Sequence, residues 1–388
     1  MLKNVFVASA ARTPVGKFAG ALKTFKAPQL GAAAIKAALE RAKAPLADVD
    51  AVYFGNVIQA NVGQLPARQA AIYAGLPVET EAVTINKVCA SGLKSVAFAA
   101  QSIELGDNSV IVAGGMESMS NAPYYFPRGA QYGHVQALDS IIRDGLWDVY
   151  DDIHMGICAE NTVKNYGITR EDQDNYAQES YRRALAALES GVFNDEIVPL
   201  EYTARGKTVV VSEDEEPKSV NLARLGTLRP AFDKNGTVTA GNSSPLNDGA
   251  SALVLASESA FSSYALSSPI ARIISCADAA TKPIDFTIAP SLAIPRALSR
   301  AGLEVKDIAR WEINEAFAAV SLANNSILGL DPSIVNVNGG AVALGHAIGS
   351  SGSRILVSLI YGLKSGEKGV AAICNGGGGS TAVVVEKL

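Results

Sequence analysis

Histidine and cysteine are scarce in this sequence, and what is missing around them excludes several classes of protein. Only three histidines and four cysteines occur in 388 residues, and no two cysteines have the CxxC spacing of a zinc site. Four cysteines are too few for a disulfide framework in a chain of this length, so reduced thiols are expected. The net charge of -5 lacks the basic excess of a nucleic-acid-binding surface, and we predict no nucleic-acid partner.

Long apolar stretches are also absent. The most apolar segments, 109-SVIVAGG-115 and 369-GVAAICNGG-377, are of strand length and fall short of the roughly 20 residues that span a bilayer. The amino terminus reads as a strand without the features of a signal or transit peptide, and the final EKL differs from the peroxisomal SKL. We therefore predict no membrane partner, and the compartment stays open at this point.

An internal repeat organises the chain. Three segments of the first part align with three of the last at an offset of 259 or 260 residues: 38–56 with 297–315, 90–96 with 350–356, and 106–115 with 366–375. Both copies read as strand, helix, strand, helix, strand. Their strands are mostly apolar without alternation, which indicates an α/β fold with sheets covered by helices on both faces.

The repeat also sets the predicted domains. An N-terminal half comprises residues 1–117 and 248–268, and a C-terminal half comprises residues 269–388. Residues 118–247 form an inserted loop domain, because this segment is richer in aromatic and charged residues and lies outside the repeat. A helix within it is predicted to start with Thr169 as N-cap and to end at Gly191.

Two cysteines occupy positions that suggest chemistry. Cys89 precedes a helix predicted from about Ser91, where free N–H groups favour a thiolate, although a small buried side chain is an equal alternative. Cys374 ends a buried strand and is followed by four glycines, which suit either a backbone oxyanion site or a tight hairpin. Cys158, in a helical stretch, and Cys276, at the end of a strand, are predicted to be packing residues.

His346 occupies the turn of the C-terminal half that matches the Cys89 turn, just before a helix predicted from about Ser350. A lone histidine is more often structural. Equivalent turns of two related halves meet at the carboxyl ends of the strands, however, where α/β sheets bind ligands. We expect Cys89, His346 and Cys374 to converge there as the nucleophile and base of covalent acyl transfer. Asn314, directly after the strand RWEI, is either a helix cap or a group at the same edge that fixes a water.

Seven motifs together resemble the thiolase family. The resemblance covers essentially the whole chain, in register, through 86-NKVCASG-92, 111-IVAGGMESMS-120, 154-HMGICAEN-161, 237-TVTAGNSSPLNDGA-250, 314-NEAF-317, 345-GHAIG-349 and 374-CNGGGG-379. Within the family, INKVCASG and MESMSN are similar to the animal mitochondrial type that forms acetoacetyl-CoA. The resemblance implies a thiolase-like fold with two pseudo-twofold-related halves.

The resemblance implies a reaction and its catalytic residues. Two acetyl-CoA molecules condense reversibly to acetoacetyl-CoA and CoA, and short 3-ketoacyl-CoA, including 2-methyl-branched forms, is cleaved by thiolysis. Cys89 carries the acyl group, His346 acts as base and binds a thioester oxygen with a water held by Asn314, and Cys374 moves the α-proton. The N–H groups of Cys89 and Gly376 form a second oxyanion hole.

Binding sites are implied by the same resemblance. No prosthetic group is expected, and coenzyme A is a substrate. The implied coenzyme A contacts are Tyr181, Arg224, Ser244, His154 and Met155. In potassium-activated members, the ion lies among positions matching Tyr181, Ala240, Gly241, Ser243 and Val342. Phe286 matches an aromatic residue linked to 2-methyl-branched substrates. A homo-oligomer, dimer or tetramer, in the mitochondrial matrix is implied, with the cytoplasm as the alternative location.

Two positions depart from the family pattern. Ala347 stands where Gly-His-Pro is typical, so the φ restriction that proline imposes is lost. Ser219 replaces a basic residue. Two other functions remain open from the sequence. One is a ketoacyl synthase-type condensing enzyme, although enzymes of that type lack the second cysteine. The other is a non-catalytic acyl-CoA or lipid carrier.

Overall fold

One mixed sheet passes through the structure. The computed structural model describes residues 4–129 and 132–388. Within them the strands are β1 (Val5–Arg12), β2 (Gly16–Lys17), β3 (Ala51–Gly55), β4 (Glu81–Ile85), β5 (Val110–Ser118), β6 (Tyr124–Tyr125), β7 (Leu138–Asp139), β8 (Trp147–Asp148), β9 (Ile153–His154), β10 (Leu200–Ala204), β11 (Lys207–Val211), β12 (Asn247–Ser257), β13 (Ala271–Ala280), β14 (Arg310–Ile313), β15 (Lys368–Asn375) and β16 (Gly379–Lys387). The helices are α1 (Ala27–Ala42), α2 (Pro66–Tyr73), α3 (Ser91–Leu105), α4 (Met155–Tyr166), α5 (Arg170–Glu189), α6 (Glu258–Ser263), α7 (Pro290–Ala301), α8 (Ala318–Leu328), α9 (Ala341–Leu344) and α10 (Ser351–Gly362).

The strand order reflects the internal repeat. Across the sheet it runs β14-β15-β16-β13-β1-β12-β5-β3-β4. Outward from the centre, β1-β12-β5-β3 has the same arrangement as β13-β16-β15-β14, with antiparallel pairs inside and a parallel pair outside. The two sets join where Val5–Val7 of β1 pairs antiparallel with β13. The predicted α/β class with helix-covered mixed strands is confirmed.

Helices α3 and α10 form the central layer. They pack against each other and against strands of both parts of the sheet, and residues 351–360 of α10 are all buried. Helices α1 and α2 cover the outer face of the N-terminal strands, and α7 covers that of the C-terminal strands. Because α3 begins just after Cys89 and α10 just after His346, this central layer brings the two turns together.

Two sequence expectations in the C-terminal part were wrong. The repeat predicted a strand between the two helices of the C-terminal copy. That strand is reduced to one bridge between Trp311 and Val335, and α9 precedes the His346 turn instead. The backbone leaves the extended conformation there, because Asn336 has a φ of 46°. Cys276 lies within β13 and not at its end, since the pairing of β13 with β16 continues to Ala280.

Residues 118–247 contain short hairpins and two longer helices. The pairs β6–β7, β8–β9 and β10–β11 each form a small separate sheet. Helix α5 begins as predicted, with the Thr169 hydroxyl accepting from the Asp172 N–H, but it ends at Glu189, two residues before Gly191. Among the described residues, no helix combines the length and apolar character needed to cross a bilayer.

Candidate active site

A cavity of about 340 Å³ lies beside the turns that precede α3 and α10. Its wall includes the following predicted site residues: Cys89, His154, Met155, Ala240, Ser243, Ser244, Phe286, His346 and Gly376. A larger open groove of about 690 Å³ between α1 and α2 includes none of the predicted residues. Nine of the predicted site residues thus lie in the wall of the smaller cavity, whose lining is mainly apolar, whereas Cys374 and Asn314 are not part of this wall.

The Cys89 turn is held by local hydrogen bonds. Val88 has a φ of 48°, which is strained for a β-branched residue. The Ser91 hydroxyl donates to the Val88 carbonyl and accepts from the Lys87 N–H at 2.8 Å. These contacts fix Cys89 at the entrance of α3, with 8% of its surface exposed.

The Cys89 thiol is not a preformed thiolate. Burial raises the pKa of Cys89 to about 12, although the backbone N–H groups of Gly376 and Cys89 act on the sulfur in the opposite direction. The expectation that the start of α3 would favour the thiolate was wrong, because desolvation outweighs these donors. Nucleophilic attack by Cys89 therefore needs a base.

His346, which lines the same cavity as Cys89, is the candidate for such a base. Its Nδ1 lies 2.6 Å from the Ser351 hydroxyl, and its backbone N–H donates to the Asn247 side-chain oxygen at 2.8 Å. The other ring nitrogen, Nε2, is buried and has no hydrogen-bond partner among the described residues. Burial, helped by the positive charge of Arg354, lowers the pKa of His346 to about 3, which keeps the ring neutral.

Cys374 lies at the end of β15, and the glycine run after it is a tight hairpin to β16. Asn375 pairs with Gly379, so the hairpin of the earlier alternative is present, and its Gly376 lines the cavity. Cys374 is fully buried and packs with Met155, Phe286 and Phe317. Burial and, second, the nearby Cys89 raise the pKa of Cys374 well above its ordinary value.

Asn314 does not cap a helix, so the first of the two alternatives given for this residue is wrong. Helix α8 begins four residues later at Ala318, with Phe317 at its N-cap. The Asn314 side chain is 1% exposed, and its amide oxygen and nitrogen have no partner among the described residues. A buried amide without a protein partner suits a ligand or water at this edge of the sheet.

The neighbouring Glu315 holds this part of the chain in place. Its carboxylate accepts hydrogen bonds from the Tyr176 hydroxyl and the Ser180 hydroxyl, each at 2.8 Å. The Asn336 amide and the Val342 N–H also donate to it, at 3.0 and 3.1 Å. Glu315 thus ties α5 to the segment between β14 and α9.

Glycines let the two turns approach each other. The Gly349 carbonyl oxygen would lie 2.1 Å from a Cβ on Gly115 and 2.7 Å from one on Gly55. A Cβ on Gly92 would be 3.0 Å from the same oxygen. Any side chain at these positions would push the His346 turn away from the N-terminal strands.

Sequence reasoning missed three residues that support the site. Glu117 is buried in β5 and accepts from the N–H groups of Val57 at 2.9 Å and Gly349 at 3.0 Å. Its charge inside an otherwise apolar strand was a usable signal. Asn247 and Ser351 hold His346, and nothing in the local pattern distinguishes them from other small polar residues.

The residues predicted to contact coenzyme A or an ion are divided among three places. His154 caps α4, accepting the Gly156 N–H at Nδ1 over 3.0 Å, and stacks on Phe232; burial lowers its pKa. Arg224 is exposed on a short turn outside the cavity wall. Tyr181 and Val342 pack in a separate buried cluster with Leu225, against which Gly241 rests.

The chain is similar along its whole length to known proteins. Residues 5–259 match the family described as thiolase, N-terminal domain, and residues 267–387 match the family described as thiolase, C-terminal domain. An acetyl-CoA acetyltransferase from Yarrowia lipolytica is 61% identical over 388 residues, which are 100% of this chain and 97% of that protein. The mitochondrial acetyl-CoA acetyltransferase A of Xenopus laevis is 55% identical over 390 residues, covering 100% of this chain and 93% of that protein. The crystal structure of Acat5 thiolase from Ascaris suum in complex with coenzyme A superposes with a TM-score of 0.96 and 48% identity, and the match covers 100% of both chains.

Proposed function

This chain belongs to the thiolase family and is an acyltransferase, and we propose that it condenses two acetyl-CoA molecules reversibly to acetoacetyl-CoA and CoA. The observation that carries the proposal is the convergence of Cys89, His346 and Gly376 on one cavity. The names of the relatives from Yarrowia lipolytica and Xenopus laevis, both acetyl-CoA acetyltransferases, support the same reaction.

In the first half-reaction, Cys89 takes the acetyl group. Its thiol proton passes to His346 Nε2, the sulfur attacks the thioester carbon, and the carbon–sulfur bond to CoA breaks. The leaving thiolate takes the proton of Cys374, which leaves acetyl-Cys89, a protonated His346 and a Cys374 thiolate. The N–H groups of Cys89 and Gly376 act on the Cys89 sulfur, which puts them within reach of the oxyanion that forms on the adjacent carbon.

In the second half-reaction, a second acetyl-CoA becomes the nucleophile. The Cys374 thiolate removes a proton from the α-carbon, and the negative charge moves to the thioester oxygen. Protonated His346 and a water on the Asn314 amide donate hydrogen bonds to that oxygen. The α-carbon attacks acetyl-Cys89, and the released Cys89 sulfur regains its proton from His346. Each group thus returns to its starting state.

Coenzyme A is proposed to bind across the inserted segment. His154, Met155 and Ser244 lie in the cavity wall, Tyr181 lies in a separate buried cluster, and Arg224 is exposed. Exposed Arg224 is suited to a phosphate, since a guanidinium pairs well with phosphate oxygens. The Acat5 thiolase from Ascaris suum was solved in complex with coenzyme A, which supports this substrate class.

We further propose that short and 2-methyl-branched acyl chains lie against Phe286. This side chain is 2% exposed, lines the cavity and meets Phe317 edge-to-face at 6.5 Å between ring centroids. The Phe286 ring thus adds apolar surface to the cavity wall that a methyl branch can contact.

Potassium is a proposed activator. The positions that would hold it are Tyr181, Ala240, Gly241, Ser243 and Val342, which offer hydroxyl and backbone carbonyl oxygens, the donors that hard cations prefer. Tyr181 and Val342 share one buried cluster, and Ala240 and Ser243 line the cavity, so an ion there would stabilise the cavity wall. We expect higher activity in potassium chloride than in sodium chloride of equal ionic strength.

Assembly and location are proposals as well. Strand β4 is a sheet edge with Val83 47% exposed, a surface on which a second copy of the chain can extend the sheet in a homo-oligomer. The mitochondrial matrix is proposed from the mitochondrial names of relatives such as that of Xenopus laevis. Fractionation of source cells, and the mass of the purified protein in solution, test these two points.

The deciding experiment is thiolysis of acetoacetyl-CoA by purified protein and free CoA, with and without potassium. Cys89→Ser and His346→Ala should abolish turnover while the proteins stay folded, and Cys276→Ser, the same substitution in β13 away from the cavity, should not. Mass spectrometry after exposure to acetyl-CoA should find the acetyl group on Cys89. No thiolysis under either condition would favour a non-catalytic acyl-CoA-binding protein.

A further inference from the structure

Ser351, the first residue of α10, contacts the imidazole ring of His346. The Ser351 hydroxyl donates to the Ala347 carbonyl at 3.0 Å and lies 2.6 Å from His346 Nδ1. The Ala347 carbonyl can only accept, and a hydroxyl has one hydrogen, so both contacts are hydrogen bonds only when Nδ1 carries a proton and donates it to the Ser351 oxygen.

This assignment determines what His346 offers to the cavity. With the proton on Nδ1, the lone pair of the neutral ring lies on Nε2. His346 lines the same cavity as Cys89, and Nε2 has no partner among the described residues. The tautomer that Ser351 selects is thus the one able to accept a proton from Cys89.

We propose that Ser351 is a positioning residue that fixes the tautomer and ring orientation of His346. This inference rests on the proposed function, because it assigns how the base of that reaction is held. Ser351 touches no reacting atom; it acts through the imidazole.

The other residues that contact or act on His346 cannot replace Ser351. Asn247 accepts the backbone N–H of His346 and holds the main chain, but it leaves the ring free to turn. Arg354, also on α10, is the charged side chain that acts on the ring, and a guanidinium has no acceptor for Nδ1–H. Without the Ser351 hydroxyl, the proton can move to Nε2, and that form cannot take a proton from Cys89.

The test compares three substitutions in the thiolysis assay. Ser351→Ala should lower kcat about 10- to 100-fold, as expected when one buried hydrogen bond to a catalytic group is lost, with little change in KM. Ser351→Cys, whose sulfur is a weak acceptor of similar size, should fall between the wild type and Ser351→Ala. The matched control is Ser353→Ala: it is equally buried on α10, but its hydroxyl bonds the Ser350 carbonyl and Ser251 instead of His346.

A second readout separates positioning from packing. The rate of alkylation of Cys89 by iodoacetamide should fall in Ser351→Ala in parallel with kcat, while thermal unfolding shows that the protein is folded. If Ser351→Ala does not fold, Ser351→Cys carries the comparison.

The outcomes distinguish this inference from the proposed function. An inactive wild type would overturn the proposed function itself. An active wild type and an inactive His346→Ala, together with a folded Ser351→Ala that keeps more than half of kcat, would overturn only the role of Ser351. Equal losses in Ser351→Ala and Ser353→Ala would also overturn it, because they would show that packing of α10 is responsible.

Discussion

Replacing Gly115 with alanine should damage catalysis far more than folding. Gly115 lies in β5, and a Cβ built there would be 2.1 Å from the Gly349 carbonyl oxygen and 3.1 Å from the Gly92 Cα. Both obstacles are backbone atoms, so no side-chain rotation relieves the contact. The cheapest response is a shift of the Gly349 turn, which carries His346, away from the sheet.

The size of that shift sets the expected losses. Ordinary contact begins at 3.4 Å, so the turn must move by about 1.3 Å. A misplacement of about 1 Å at a catalytic group costs roughly 100-fold in rate, and overpacking of a buried site costs about 1–3 kcal/mol in the free energy of unfolding. We therefore expect a folded Gly115→Ala protein with kcat reduced about 100-fold.

The assay is thiolysis of acetoacetyl-CoA combined with urea unfolding. Gly249→Ala is the matched control, because Gly249 is buried in the adjacent strand β12, pairs with Glu117, and has room for a Cβ with its nearest atoms at 3.6 Å. The control should keep wild-type activity and stability. A folded Gly115→Ala enzyme within twofold of wild-type kcat would refute the reasoning that close approach of the two turns positions His346.

Three further changes test other parts of the structure. Ala347→Pro should leave activity similar or higher and raise the free energy of unfolding by about 0.4–1 kcal/mol, since a small cavity borders Ala347; a large loss of thiolysis would show a loop geometry unlike that of relatives. Glu117→Gln should lower the free energy of unfolding by roughly 2–4 kcal/mol in urea titrations, because an amide nitrogen would face donor N–H groups. Burial raises the pKa of Glu117 to about 7 from 4.5, so the folded wild type keeps a proton that the unfolded chain loses, and its stability relative to Glu117→Gln should fall as pH rises through that window. Phe286→Leu should raise kcat/KM for longer 3-ketoacyl-CoA relative to acetoacetyl-CoA, because the cavity wall becomes smaller and more flexible there, and an unchanged ratio would count against contact of the acyl chain with this ring.

The sequence predicted those structural features that depend on residues close together in the chain. Unbroken apolar strands, the start of α3 at Ser91 and the Thr169 N-cap all depend on neighbours within a few residues, and the structure has them. The repeat placed Cys89 and His346 in matching turns, and the structure brings them to one cavity.

Features that depend on distant partners were not predictable in this way. The pKa of Cys89 reflects burial that only the complete fold creates, and it outweighs the local effect of the helix start. Glu117 acquires its role from the contact with Gly349, which lies 232 residues away along the chain. The middle strand expected in the C-terminal copy is reduced to one bridge between Trp311 and Val335, since the backbone leaves the extended conformation at Asn336.

Three candidate site residues align with glycines in the other half of the repeat. With the alignment offset of 259 or 260 residues, Cys89 matches Gly349, Cys374 matches Gly114, and Asn314 matches Gly55. Each matching glycine is crowded: a Cβ would lie 2.6 Å from the Met116 carbonyl at Gly349, 2.0 Å from the Ser251 carbonyl at Gly114, and 2.7 Å from the Gly349 carbonyl at Gly55. A second copy of any of these three side chains in the other half would therefore collide with backbone. At these three positions, the half that lacks the side chain supplies the space that lets the other half approach.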